Sequence, residues 1–235
     1  MAVTMATEQS AVVARDLYRF YRAGDEEVLA LRGVSLIVAA GELVVVAGPS
    51  GSGKSTLLAL LAGLDEPDGG SVTLAGQRMS HRPDGQRTLL RRRLVGVLRQ
   101  TGNLVGHLTV RENIDLVRRL RGRAVRGRPA EELLGLVSLG HRARALPGQL
   151  SGGELARAGL AVALAGDPAV LIADEPTGEL DVANERRVLA LMHEVAAAGT
   201  AIVVASHSAE VAAGADRVLR LADGHWADES GRIAA

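Results

Sequence analysis

Leu150-Ser151-Gly152-Gly153-Glu154 takes its meaning from what stands on either side of it. Ser-Gly-Gly alone is common in proteins. Here it lies downstream of Gly48-Pro49-Ser50-Gly51-Ser52-Gly53-Lys54-Ser55-Thr56 and upstream of Ala169-Val170-Leu171-Ile172-Ala173-Asp174-Glu175. The first flank is a complete phosphate loop, fed by the apolar run Leu43 to Ala47. Its glycines let successive backbone N–H groups turn inward and form an anion nest. Lys54 adds a cation for the β- and γ-phosphates, and the Ser55 hydroxyl suits a bridging Mg²⁺. The helix expected from Ser55 turns its N-terminus toward the same anion. Asp174 closes the second apolar run and suits the metal, directly or through water. Glu175 is then the acid free to polarise an attacking water.

The remaining composition narrows the reading. A chain of 235 residues is long enough for one buried α/β core. The formal net charge is +0, so no global basic field points to nucleic acid. With 2% aromatic residues, the core must be built from Val, Leu, Ile and Ala. The absence of cysteine excludes disulfides and thiolate metal sites and fits a reducing compartment. No run approaches the ~18 consecutive apolar residues of a membrane span. Met1 to Gln9 lacks the basic start and apolar centre of a signal peptide.

Apolar runs bounded by glycine predict strands at Val34 to Val38, Leu43 to Ala47, Ser71 to Leu74, Val95 to Leu98, Val170 to Ala173, Ala201 to Ala205 and Val218 to Leu221. Helices are expected at Ser55 to Leu64, Val110 to Arg121 with Thr109 as N-cap, Pro129 to Leu139, Glu154 to Ala165 and Asn184 to Ala198. This alternation predicts an α/β fold with a mainly parallel sheet. Thr88 to Leu146 reads as a helical insertion, and the strands before Gly41 and around Ser71 as an antiparallel lobe. One domain over residues 11–228 with two loose tails is expected. Arg118, Arg119, Arg121, Arg123, Arg126 and Arg128 of the insertion read as a solvated surface, because no aromatics interleave to stack on bases.

Phosphate loop, Ser-Gly-Gly run and paired acids in this order resemble the ATP-binding domains of ABC-type ATPases. The resemblance covers nearly all of residues 11 to 228 and implies a P-loop NTPase core, a small antiparallel β lobe and a helical lobe. It assigns Gln100 to a glutamine that senses Mg²⁺ and the attacking water, although Arg99 stands where Phe is common. His207 matches a switch histidine that contacts the γ-phosphate, here followed by Ser208 in place of a frequent Asp. Tyr21 fits the aromatic that stacks on adenine, favoured over Tyr18 and Phe20 by its spacing to Gly24. Two acids at a strand end can simply face solvent, but Pro176-Thr177-Gly178-Glu179-Leu180-Asp181 continues the family pattern and puts Asp181 at a dimer seam. Ser151, Gly152 and Gly153 would grip the γ-phosphate bound to a second copy, sandwiching two ATP molecules between head-to-tail subunits. Leu155-Ala156 replaces a usual polar pair, and Val162 a common Arg. The early Tyr21/Gly24 pattern and the Ala173 to Asp181 string look like the group of lipoprotein-release, MacB-like and FtsE-type ATPases. That group implies a peripheral protein on the cytoplasmic side of the cell membrane with a separate permease as partner. It leaves two roles open, transport or a mechanical regulation of the cell envelope.

Overall fold

The computed structural model describes residues 10–23, 26–121 and 127–227. Gly24, Arg123, Arg126 and, of the two expected tails at 1–10 and 229–235, all but Ser10 lie outside the described residues; Ser10 begins a strand. Two sheets organise the chain. The first is antiparallel, with strand order β2-β1-β4-β5, where β1 is Ser10–Ala23, β2 Glu26–Ala39, β4 Gly69–Leu74 and β5 Gln77–Arg78. The second has the order β10-β9-β3-β8-β7-β6, where β3 is Leu43–Ala47, β6 Val95–Arg99, β7 Val170–Asp174, β8 Ala201–Ala205, β9 Arg217–Ala222 and β10 His225–Trp226. All its neighbours are parallel except β10 against β9.

The parallel strands read as continuous apolar runs because both faces of the sheet are buried. Successive side chains point to opposite faces. Val44 and Val46 of β3, with Val203 and Ala205 of β8, join a core shared with the antiparallel lobe and helix α1, Lys54–Leu61. Leu43, Val45, Ile202 and Val204 join a second core on the other face. That core is closed by α5, Gly152–Leu164, and α6, Val182–Ala197. It continues into a helical lobe through Ile114 of α3, Val110–Arg121, and Leu133 of α4, Ala130–Leu136.

The helical insertion is shorter than the sequence pattern predicts. Helix α2, Asp84–Leu94, runs into β6, and β6 pairs in parallel with β7 as the edge of the main sheet. Thr88 to Arg99 therefore belongs to the sheet-bearing body, and the insertion starts beyond it. The cause is the surface position of α2, which buries only Leu90 and whose arginines resemble those of the lobe. Thr109 caps α3 as expected, accepting from Glu112 N at 3.2 Å while Glu112 Oε2 accepts from Thr109 N at 2.8 Å. A short α7, Ala209–Ala213, follows β8.

Candidate nucleotide site

The carboxyl ends of β3, β6, β7 and β8 lie side by side, and the chain leaves each of them into a loop that carries one of the predicted groups. Ligands of open α/β sheets bind at this edge, where backbone groups beyond the strand ends are free. The result is a cleft of about 900 Å³ lined by Tyr21, Gly48 to Gly51, Gly53 to Thr56, Gln100, Asp174, Glu175 and His207. Val28, Ala30 and Arg32 of β2, with Asp223 and Gly224 of the β9–β10 turn, complete its wall.

The phosphate loop is held from behind. A side chain on Gly48 would place its Cβ 2.1 Å from Leu221 O, so only glycine fits between β3 and β9. Gly224 N donates to Ser52 O at 3.1 Å, and Arg32 N donates to Gly224 O at 2.7 Å, which ties the loop to β2. Ser52 is buried, does not line the cleft, and its hydroxyl has no partner among the described residues. Helix α1 begins at Gly53 without a side-chain cap, so its first-turn N–H groups are open to an anion. Lys54, the only lysine in the chain, donates from Nζ to Gly48 O at 2.8 Å and Pro49 O at 2.9 Å. Its ammonium is thus held over the loop at the cleft wall.

Asp174 is the last residue of β7, and Glu175 turns the chain with a left-handed φ of 46°. That conformation is costly for a residue with a Cβ. It is fixed by Glu175 N donating to Ala205 O at 3.0 Å. Glu175 Oε2 lies 2.9 Å from His207 Nδ1, within ion-pair distance of a protonated ring, and this buried oxygen has no hydrogen-bond partner among the described residues. The carboxylate therefore has a free acceptor beside an exposed imidazole. Ser208 caps α7 by accepting from Val211 N at 3.4 Å, so the residue after His207 serves the local turn. Gln100 follows β6 directly and donates from Nε2 to Glu179 Oε1 at 3.3 Å. Of the three clustered aromatics only Tyr21 lines the cleft; Tyr18 packs against Gly33 and Gly69.

The Ser151 region is built with equal care and stands apart. Ser151 caps α5, accepting from Glu154 N at 3.2 Å while donating its own N–H to Glu154 Oε2 at 2.9 Å. Arg142 Nε donates to Glu154 Oε1 at 2.8 Å. The Arg142 guanidinium first, and then the Ser151 N–H, hold the Glu154 carboxyl down at about 2 from its ordinary 4.5. Gly153 touches the start of α6, where a Cβ would come within 2.3 Å of Asn184 Oδ1. Asp181 caps α6 through Asn184 N at 2.9 Å and also accepts from Asn184 Nδ2 at 2.8 Å, which lowers its pKa. Ser151, Gly152, Gly153 and Asp181 do not line the cleft that holds the phosphate loop. Gly152 instead lines an adjoining groove that shares Gln100 and Glu175 with that cleft.

Comparison with known proteins gives this geometry a family. The ABC transporter family model matches residues 31–178. The chain is 41% identical over 223 residues to the macrolide export ATP-binding/permease protein MacB of Hyphomonas neptunium, covering 94% of this chain and 35% of that protein. It is 41% identical over 224 residues to the lipoprotein-releasing system ATP-binding protein LolD of Gluconobacter oxydans, covering 94% of this chain and 96% of LolD. Among solved structures, the dimeric ABC transporter cassette MJ0796 aligns with a TM-score of 0.84 at 33% identity, over 92% of this chain and 97% of that one. The same cassette is also known as a dimer in a post-hydrolysis state bound to ADP and Pi. The chain belongs to the ABC transporter ATP-binding family and has the ABC ATPase cassette fold, as its motifs predict.

Proposed function

We propose that this cassette hydrolyses ATP as a head-to-tail pair and drives a separate membrane permease in export or extraction. The observation that carries the pairing is the position of the Ser151 region. It is capped, charged and locked against α6, yet none of it lines the cleft formed by its own phosphate loop. A second copy that brings its Ser151, Gly152 and Gly153 to the nucleotide would complete the site, with Asp181 near the seam. The dimeric form of MJ0796 supports this arrangement.

Within the cleft, Gly48, Pro49, Ser50, Gly51, Ser52, Gly53 and Thr56 shape the phosphate nest, Lys54 neutralises the β- and γ-phosphates, and Tyr21 stacks on adenine. Ser55, Asp174 and Gln100 present oxygen donors, which suit Mg²⁺, an ion usually held by one or two carboxylates plus substrate phosphates. Bound there, Mg²⁺ would supply charge neutralisation at the phosphates. Glu175 has a free buried acceptor with which to orient the attacking water, and His207 is placed to reach the γ-phosphate.

The chain spans only 35% of the macrolide export protein, whose name combines ATPase and permease, but 96% of LolD. Among the described residues no helix is long and apolar enough to cross a membrane. The relatives' names, an export ATP-binding/permease protein and a lipoprotein-releasing ATP-binding protein, support a peripheral subunit on the cytoplasmic face that works with a membrane permease. Macrolide export and lipoprotein release, the activities in the relatives' names, favour transport over a purely mechanical role.

Glu175→Gln tests the reading. It keeps the size of the side chain and removes the charge that polarises water. Single-turnover hydrolysis should slow by at least ~100-fold, as for loss of a general base. ATP should still bind, so sizing by light scattering should find a stable ATP-bound dimer. Near-normal hydrolysis would reject Glu175 as the base, and an ATP-bound monomer would reject the pairing.

A further inference from the structure

The geometry points to Arg19 and Asp65 as positioning residues that set the Tyr21 ring for the base, a role resting on the reading of Tyr21 as the adenine-stacking aromatic. Tyr21 is not a loose side chain at the cleft mouth. Its hydroxyl donates to Asp65 Oδ2 at 2.9 Å. The same carboxylate takes a fork from Arg19, with Nε donating to Oδ2 at 2.9 Å and Nη2 to Oδ1 at 2.9 Å. Such bidentate pairs fix orientation as well as distance. The Arg19 guanidinium lies over the Tyr21 ring, 4.8 Å from its centroid. Tyr21 lines the nucleotide cleft and Arg19 does not. The cation therefore covers the ring face turned away from the cleft and leaves the other face to the ligand.

The support for this clamp comes from the core. Asp65 follows α1, the helix that starts at the phosphate loop. Glu66 N donates to Asp65 Oδ1 at 2.8 Å, and Asp65 N donates to Ala59 O at 3.3 Å, so the carboxylate is anchored to the C-terminal end of α1. Asp68 reinforces it, accepting from Arg19 Nη1 at 3.2 Å and from Phe20 N at 2.8 Å, while Asp68 N donates to Tyr18 O at 2.9 Å. One helix thus carries the phosphate loop at its first turn and holds the base-stacking ring through the segment after its last. Phosphate and base subsites are spaced by a rigid element, which reduces the ordering cost of binding.

The test compares ATP with inorganic tripolyphosphate, which has the phosphates without the base, by calorimetry on the intact chain. Tyr21→Phe keeps a stacking ring and removes only the hydroxyl anchor. It should weaken ATP by about five-fold, the equivalent of one net hydrogen bond, with tripolyphosphate affinity unchanged. Asp65→Asn, which spoils the Arg19 fork, should change the same ratio in the same direction. ATP affinity equal to wild type in both variants overturns the proposal, as does a parallel loss of tripolyphosphate affinity. Tyr21→Ala separates the two layers. If it leaves ATP binding intact, the stacking reading itself fails; if it weakens ATP while Tyr21→Phe and Asp65→Asn do not, only the positioning role fails.

Discussion

The phosphate-loop cleft and the Ser151 region are both built on helix N-termini, but the two are finished differently. Helix α1 starts at Gly53 with no side-chain cap, so its first N–H groups remain available. Helix α5 starts at Ser151 with a reciprocal cap to Glu154, and α6 beside it is capped by Asp181. In the cleft, strand ends from across one sheet bring the reactive groups together. At Ser151, two capped helices lock to one another through Gly153 and Asn184. The first region is organised to receive a ligand within one chain. The second is organised to hold its shape while presenting a surface, which is what a contribution to another copy's site requires.

The largest effect should follow from removing the cation of the first region. Lys54→Ala takes away the chain's only lysine, which lies among loop carbonyls at the cleft wall. Loss of electrostatic stabilisation at the phosphates should lower hydrolysis by roughly 100-fold or more, with the melting temperature little changed. Turnover like that of the wild type in a steady-state phosphate-release assay would break the distinction between the two regions, because the cleft would not be the reacting one.

A variant of the second region should be as inactive alone, for a different reason. Ser151→Arg places bulk and charge at the proposed seam while leaving the cleft intact. ATP should bind the monomer, and light scattering should find no ATP-dependent dimer. Mixing the two variants sharpens the comparison. A mixed pair holds one complete site, formed by Lys54 of the Ser151→Arg copy and Ser151 of the Lys54→Ala copy. Partial return of hydrolysis on mixing is the expected outcome. Normal dimerisation and hydrolysis by Ser151→Arg alone would show that the region is not an interface.

The two regions also differ in how legible they are from residue order. Strands β3, β7 and β8 are plain because burial on both faces makes each a continuous apolar run. The phosphate loop, Asp174 and Glu175 are plain because their chemistry demands those residue types at that spacing. An antiparallel lobe before Gly41 is legible, but the extent of the long β1 is not. Its register shifts between Ala14 and Leu17, and Asp16 sits at φ 47°, so its alternation is broken where a strand pattern would be sought. The part of α2 from Thr88 onward reads as helical lobe because arginine-rich surface helices look alike wherever they dock. The Asp65 partner of Tyr21 is invisible for another reason: 44 residues separate them, and only the return of the chain after α1 brings them together. The lock of Gly153 against Asn184 is equally non-local.

The smallest effect tests whether the Ser151 region is preorganised by charge. Glu154 is held at about 2 when folded, against an ordinary 4.5, by Arg142 and by the Ser151 N–H. A carboxyl with a depressed folded pKa binds protons more readily in the unfolded chain. Its contribution is therefore complete above the unfolded value and is lost as pH falls from 4.5 toward about 2. Glu154→Gln removes the charge but keeps an acceptor for the cap. The variant should melt slightly below wild type at neutral pH, and the gap should close as pH drops through that window. Scanning calorimetry of the two proteins over this range reads the gap directly. A gap that stays constant would mean that the side-chain shape, not its charge, holds the start of α5. In that case the contrast between an open helix start at Gly53 and a charge-locked one at Ser151 would reduce to a difference in packing alone.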